Sequence, residues 1–395
     1  MTGLYEGEKM SNNEYLTHLT EITEIRHYLH QHPEVSNQEF ETTKKIKELL
    51  AKWDVEVLTT NLNTGLLAEI KGPTKGPIIA LRTDIDALPV QEKTELAFKS
   101  QTANVMHACG HDLHMASLLG AIRYFKEHQE LIKGTIRFLF QPAEETGSGA
   151  NQVLEKNVLA GVQAIVGFHN NPNIPVGTIA LQAGPMMAGC YKFEIKIKGK
   201  GSHGAKPEKS RDPIVTLATI VSSLQTIVSR NINPQDAVVV SVTHVNAGSV
   251  WNVIPNEAVL GGTVRLFNLQ NTAIVKQHLD ELAQNIAAAY GQSVSIEWEE
   301  RTLPIANDEK LTQAVLSNLN VPVIKPTLSM AGEDFATYQK EIPGVFAFVG
   351  SNGKTNAADW HNPNFVGLDE TIPTGIEYFV ESGLGLLQYL NQADK

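Results

Sequence analysis

Cysteine is nearly missing from this chain: its 395 residues include only Cys109 and Cys190. Two thiols cannot build a disulfide framework, and a reducing cytoplasm suits such a chain best. No run approaches the ~20 uninterrupted apolar residues of a membrane helix, so no membrane partner is expected. Clustered Lys and Arg are also lacking, and the formal net charge is -11. That combination argues against nucleic acid as a partner, since phosphate binding needs concentrated positive charge. The opening stretch, Met1 to Asn13, has no basic segment leading into an apolar one, so no secretory leader is expected.

What is present suits a folded, two-domain protein. Hydrophobic residues make up 42% and charged ones 19%, a balance that argues against disorder. A chain this long exceeds what one core usually supports. Tyr15, Leu16, Leu19, Ile22, Ile25 and Leu29 recur at helical spacing. Ser36 with Glu39 reads as a capping box opening a second helix that runs towards Trp53. Buried strands are then expected at Pro77 to Leu81, Thr135 to Phe140, Ala164 to Phe168 and Val345 to Val349, with a helix from Met115 to Phe125. Strands alternating with helices imply an α/β fold with a mostly parallel sheet.

The middle of the chain has another rhythm. Tyr191, Phe193, Ile195 and Ile197 alternate as in a half-buried strand. A helical face follows (Ile214, Leu217, Ile220, Val221, Leu224, Ile227), then strands at Ala237 to Val245 and Ala258 to Leu266. Another helical face (Ile274, Val275, Leu279, Leu282, Ile286) leads to a last alternating run, Ser293 to Trp298. The order β-α-β-β-α-β is the ferredoxin-like unit. It is expected as an insertion at about 190–302, between the two parts of the larger domain at about 14–189 and 303–395.

Four polar clusters are expected directly after strands of the larger domain, where open parallel sheets bind ligands. They are Arg82-Thr-Asp84-Ile-Asp86, Met106-His107-Ala-Cys109-Gly-His111-Asp112, Gln141-Pro-Ala-Glu144-Glu145 and Phe168-His169-Asn170. A fifth, His361-Asn362-Pro363-Asn364, follows a later strand. Singly, a cysteine is commonly a core residue and an adjacent pair of glutamates a solvated surface feature. Jointly, a thiol, imidazoles and carboxylates at one sheet edge form the donor set of zinc and its first-row relatives. Cys109 and His111 also flank a glycine, where the backbone can bend both side chains towards one point.

The strings RTDIDALP, MHACGHDLHMA, FQPAEE, GSHGAKP, VNAGSVWNVIPNEAVLGGTVR, MAGEDFA and HNPNF occur in order through nearly the whole chain. They resemble the amidohydrolase branch of the aminoacylase-like di-metal peptidases, which includes hippurate hydrolases, N-acyl amino acid deacylases and auxin-conjugate hydrolases. The resemblance implies a catalytic α/β domain with an inserted ferredoxin-like lid or dimerisation domain. It implies two divalent ions per subunit (zinc, manganese or cobalt) held by Cys109, His111, Glu145, His169 and His361, with Glu144 as general base. Relatives outside the branch have His-X-Asp where this chain has Asp84-Ile-Asp86, so Asp86 is expected to orient a ligand from behind. His203, Asn252 and Arg265 match positions that bind the carbonyl and carboxylate ends of a substrate, in a homodimer.

The implied reaction is hydrolysis of the amide of a small N-acyl (acetyl or benzoyl type) amino acid. A metal pair makes hydroxide available at neutral pH and polarises the carbonyl, while Glu144 carries the proton. A dipeptidase or carboxypeptidase with the same metals, and an inactive binding paralogue, remain open at this stage. So do the acyl group, the side chain and the stereochemistry.

Overall fold

A computed structural model describes residues 14–393; the opening stretch read above for a leader, Met1 to Asn13, lies outside the described residues. The chain divides into two compact units. The larger takes in Met1–Gly184, Asn307–Pro326 and Thr337–Lys395, and the smaller Pro185–Ala306 and Thr327–Ala336.

The larger unit is built on a sheet whose strands lie in the order Glu56–Leu58, Leu66–Lys71, Thr135–Gln141, Ile78–Asp84, Ala164–Pro175, Gly344–Asn352, Ile179–Ala180 and Val323–Ile324. The four at its centre, Thr135–Gln141 to Gly344–Asn352, run parallel. The joints on either side of that block are antiparallel. Central strands are covered on both faces, so they read as continuous apolar runs, and Val345 to Val349 is buried throughout. The helices Leu19–Gln31, Phe40–Lys52, His111–Glu127 and Thr371–Ala393 share a core with this sheet.

Three elements depart from the periodicity. Tyr15 and Leu16 form a separate 3-10 turn, Glu14–Leu16. The third helix opens at His111 rather than near Met115, because its first turn buries polar residues (His111, Asp112, His114) that hydrophobic spacing cannot register. The strand expected to end at Phe168 runs on to Pro175, since backbone pairing with Gly344–Asn352 needs no apolar side chain.

The smaller unit is an antiparallel four-stranded sheet in the order Val238–Ala247, Glu257–Leu266, Gly189–Lys198, Ser293–Thr302. The helices Pro213–Thr226 and Gln270–Ala289 share its core. Asp212 caps the first of them, accepting from Ile214 N at 2.9 Å ahead of Pro213. Ile227 opens a π-turn, Ile227–Asn231, where the sequence predicted continued α-helix. The chain order and strand order are ferredoxin-like.

Candidate metal centre

Asp84 and Gln141 end neighbouring strands, and His169 lies in the next strand over. Cys109 and His111 do not follow a strand, contrary to expectation: they straddle the start of the helix His111–Glu127. Gly110 between them has φ 84°, and a Cβ there would lie 2.4 Å from Asn170 Nδ2. Only glycine fits that turn. His361 stands in a loop at φ 63°, its N–H donating to Ala108 O at 2.9 Å, so it docks beside the same turn.

Hydrogen bonds fix where two of the imidazoles, His111 and His169, keep a lone pair. His111 Nδ1 donates to Asp86 O at 2.8 Å, and its buried Nε2 has no partner. His169 Nδ1 donates to Asn170 O at 2.7 Å, leaving Nε2 to face Cys109 Sγ at 3.3 Å. His361 Nε2 lies 3.3 Å from Glu145 Oε2, while Glu145 Oε1 is buried and unbonded. Donor atoms of Cys109, His111 and His169 lie within 4.8 Å of one another. The same holds for Cys109, Glu145 and His361, and for His111, Glu144 and Glu145. Cys109 belongs to two of these groups.

The electrostatics call for a cation. Burial works against a charged His111. Asp84, Asp86 and Glu145 nevertheless push its imidazole up to about 10, so this position attracts positive charge, as a proton or as a metal. Burial, aided by His114 and His111, holds His169 well below the usual range, which keeps a neutral lone pair. Burial, then Glu145 and Glu144, push the Cys109 thiol well above its usual range, so a cation is needed to make it a thiolate. Orphaned buried lone pairs beside a soft sulfur donor fit a pair of divalent ions.

Asp84, His111 and His114 also converge, but His114 has no lone pair to offer. Its Nδ1 donates to Asp84 Oδ1 at 2.7 Å, and its Nε2 accepts from Asn170 N and Nδ2 at 2.9 and 3.0 Å. His114 orients instead of ligating. Asp86 lies behind His111: its Oδ2 accepts from Ser36 Oγ at 2.6 Å and Glu145 N at 3.0 Å.

Asn170 has a part that nothing in the sequence marks out except its place directly after His169. Fully buried, it donates to Cys109 O at 2.6 Å and accepts from Ser351 Oγ at 2.9 Å, and its own carbonyl holds His169 and Trp360. One amide thus ties the cysteine turn to the histidine strand.

The remaining three residues belong to the smaller unit. His203 and Asn252 lie together on a ribbon, Ser202–His203 against Val253–Ile254, with Gly204 N donating to Asn252 O at 2.8 Å. His203 is exposed, and its Nδ1 accepts from Ala205 N at 3.1 Å, which puts the proton on Nε2. Arg265 sits elsewhere. The ribbon adjoins the Glu257 end of the strand Glu257–Leu266, and Arg265 lies at the other end, opposite Cys190. Those ends are roughly 26 Å apart at the usual rise of ~3.3 Å per residue.

The profile of peptidase family M20/M25/M40 matches residues 80–382. An N-acetyl-L-cysteine deacetylase of Bacillus subtilis (strain 168) is 45% identical over 374 residues, 94% of this chain and 89% of its own. An IAA-amino acid hydrolase of Arabidopsis thaliana is 37% identical, over 89% of this chain and 82% of its own. Among solved structures, a Bacillus subtilis dinuclear metal binding peptidase from the M20 family superposes with a TM-score of 0.85 at 42% identity, covering 94% of this chain and 98% of that one.

Proposed function

We infer the activity of this chain from its family: it belongs to peptidase family M20/M25/M40, and it is a metal-dependent amidohydrolase whose substrates we take to be small N-acyl amino acids. The observation that carries this reading is the convergence of a buried thiol, Glu145 and ring nitrogens of three imidazoles, with His111 Nε2 and Glu145 Oε1 left without hydrogen-bond partners. In this reading Cys109, His111, Glu145, His169 and His361 would hold two divalent ions. Bound there, the ions supply an acidified water and a polarised amide carbonyl.

The chain's own groups do the rest. Glu144 takes the proton of the attacking water and hands it to the departing nitrogen. Asp86 keeps the His111 ring turned so that Nε2 faces inward. His203 donates Nε2–H to the developing oxyanion, a contribution on the order of 3 kcal/mol for one well-placed donor. Arg265 pairs with the substrate carboxylate, and Asn252 steadies the ribbon and its acyl end.

A homodimer accompanies this reading. A small acyl-amino acid is far shorter than the separation of His203 from Arg265, so the two residues serve different active sites. The edge strand Val238–Ala247 has one neighbour in its sheet, and Val245 and Trp251 are 57% and 95% exposed. Both features suit burial against a second copy. Among the described residues no helix is long and apolar enough to cross a membrane, and we assign the enzyme to the cytoplasm.

The test is a hydrolysis screen of acetyl- and benzoyl-amino acids beside dipeptides, using stripped protein reloaded separately with zinc, manganese or cobalt. Turnover of acyl-amino acids is expected. Cleavage of dipeptides alone would make the chain a peptidase, and inertness with every metal would make it a binding paralogue.

A further inference from the structure

The pair Ser36 and Glu39, which the sequence presents as a capping box, has other work. The second helix starts at Phe40, and its first-turn N–H groups are taken by Glu34 instead, whose carboxylate accepts from Glu41 N at 3.2 Å and Thr42 N at 2.8 Å. Ser36 Oγ donates to Asp86 Oδ2, the same oxygen that accepts from Glu145 N. Glu39 is fully buried and accepts three bonds: Oε1 from Asn37 N at 2.9 Å and Ala143 N at 2.8 Å, and Oε2 from Thr64 Oγ1 at 2.7 Å. Two buried carboxylates therefore take the N–H groups of residues 143 and 145, on either side of Glu144.

Ala143 is the unusual member of this turn. Its φ of 53° is left-handed, a conformation that a residue with a Cβ disfavours and that persists only where surroundings impose it. Its carbonyl is also engaged, accepting from Ser148 N at 3.3 Å and Gly149 N at 3.0 Å. The turn is tight, with Gly147 N donating to Glu144 O at 2.6 Å. A Cβ on Gly149 would meet Pro142 O at 1.8 Å. An extended residue at 143 would carry the chain past the sheet edge instead of folding it back over the cluster.

We propose that Glu39 is a positioning residue for the metal centre: its carboxylate holds Ala143 in the left-handed conformation and so aims Glu144 at the proton and Glu145 at the cation. This rests on the amidohydrolase reading for the roles of the two glutamates. The remote placement is chemically sensible. A carboxylate that accepts N–H groups from outside the cluster can fix the turn without competing for the metal.

The experiment compares Glu39→Gln with the same change carrying Ala143→Gly, each stripped and loaded with cobalt. Glutamine keeps one oxygen for Asn37 N and Ala143 N but loses the charge that strengthens both bonds, and it must turn Nε2 onto Thr64 Oγ1. Accordingly kcat is expected to fall about 10-fold with KM nearly unmoved, and cobalt affinity to weaken by a similar factor. The visible cobalt spectrum should shift. Glycine adopts positive φ unaided, so the double variant should recover most of the kcat, the affinity and the native spectrum. A lowered melting temperature with kcat and spectrum unchanged would overturn the proposal, as would a double variant no better than the single one. Should Glu39→Gln not fold, Thr64→Val loosens the same carboxylate more gently. A smaller loss reversed by Ala143→Gly supports the proposal, and wild-type behaviour overturns it. If the native enzyme turns over no acyl-amino acid, the amidohydrolase reading fails, while the cobalt affinity and spectrum still report on Glu39.

Discussion

Glu144 and Glu145 are chain neighbours with the same chemistry, separated only by where a tight turn sends them. Glu144→Gln keeps the size of the side chain but cannot accept a proton, so kcat should drop by ~10²-fold or more while metal content, measured by atomic absorption, stays at the native level. Metal lost in step with activity would exchange the two roles. Cys109 offers a second check. In a Cys190→Ser background, metal-loaded protein should react far more slowly with a thiol reagent than stripped protein, and equal rates would remove Cys109 from the ligand set. The proposed ligands were legible in the sequence because cysteine, histidine and paired glutamates are conspicuous in short strings. Asn170 and Glu39 were not, because their roles arise from contacts made across the fold, Glu39 with Ala143 being 104 residues away. Asn170 looks like any loop asparagine, and Glu39 like a helix cap.

Helices and strands were legible wherever one face is apolar, and obscured where polar groups are buried. The first turn of His111–Glu127 and the far half of Ala164–Pro175 are the two cases. The last helix, Thr371–Ala393, hides a polar feature of its own. Glu377 is buried there with Oε1 unbonded, one turn before Glu381, whose carboxylate is engaged by Asn320 and Tyr15. Burial, then the neighbouring Glu381, raise the Glu377 carboxyl from 4.5 to about 7. The folded state keeps this proton to about pH 7, whereas the unfolded chain releases it near 4.5. Stability must therefore fall as pH climbs through that window and level off above it. Glu377→Gln should melt higher than the native protein at pH 8, with the advantage vanishing towards pH 4.5 in thermal unfolding scans. An advantage independent of pH would mean that the carboxyl ionises normally.

At the scale of the whole molecule, a mixing experiment addresses the assignment of His203 to a partner's site. His203→Ala alone and Glu144→Ala alone should both be nearly inactive. Co-expressed, they should restore about a quarter of the native activity, because random pairing makes half the dimers mixed and each mixed dimer keeps one intact site of two. No recovery, where mixed dimers are demonstrated by mass, would return His203 to its own subunit or to no site at all. This arrangement was only partly legible in the sequence: the β-α-β-β-α-β order emerges from periodicity, but opposite ends of one strand are a matter of register, which no motif records.

The separation of His203 and Arg265 along the small sheet has a kinetic corollary. If neither end can complete a site by itself, an isolated subunit has no turnover, however well it folds and binds metal. Initial rate should then rise linearly with enzyme concentration when dimers prevail and as its square once dilution splits them. The bend between the two regimes would read out the dissociation constant of the dimer directly from an activity assay.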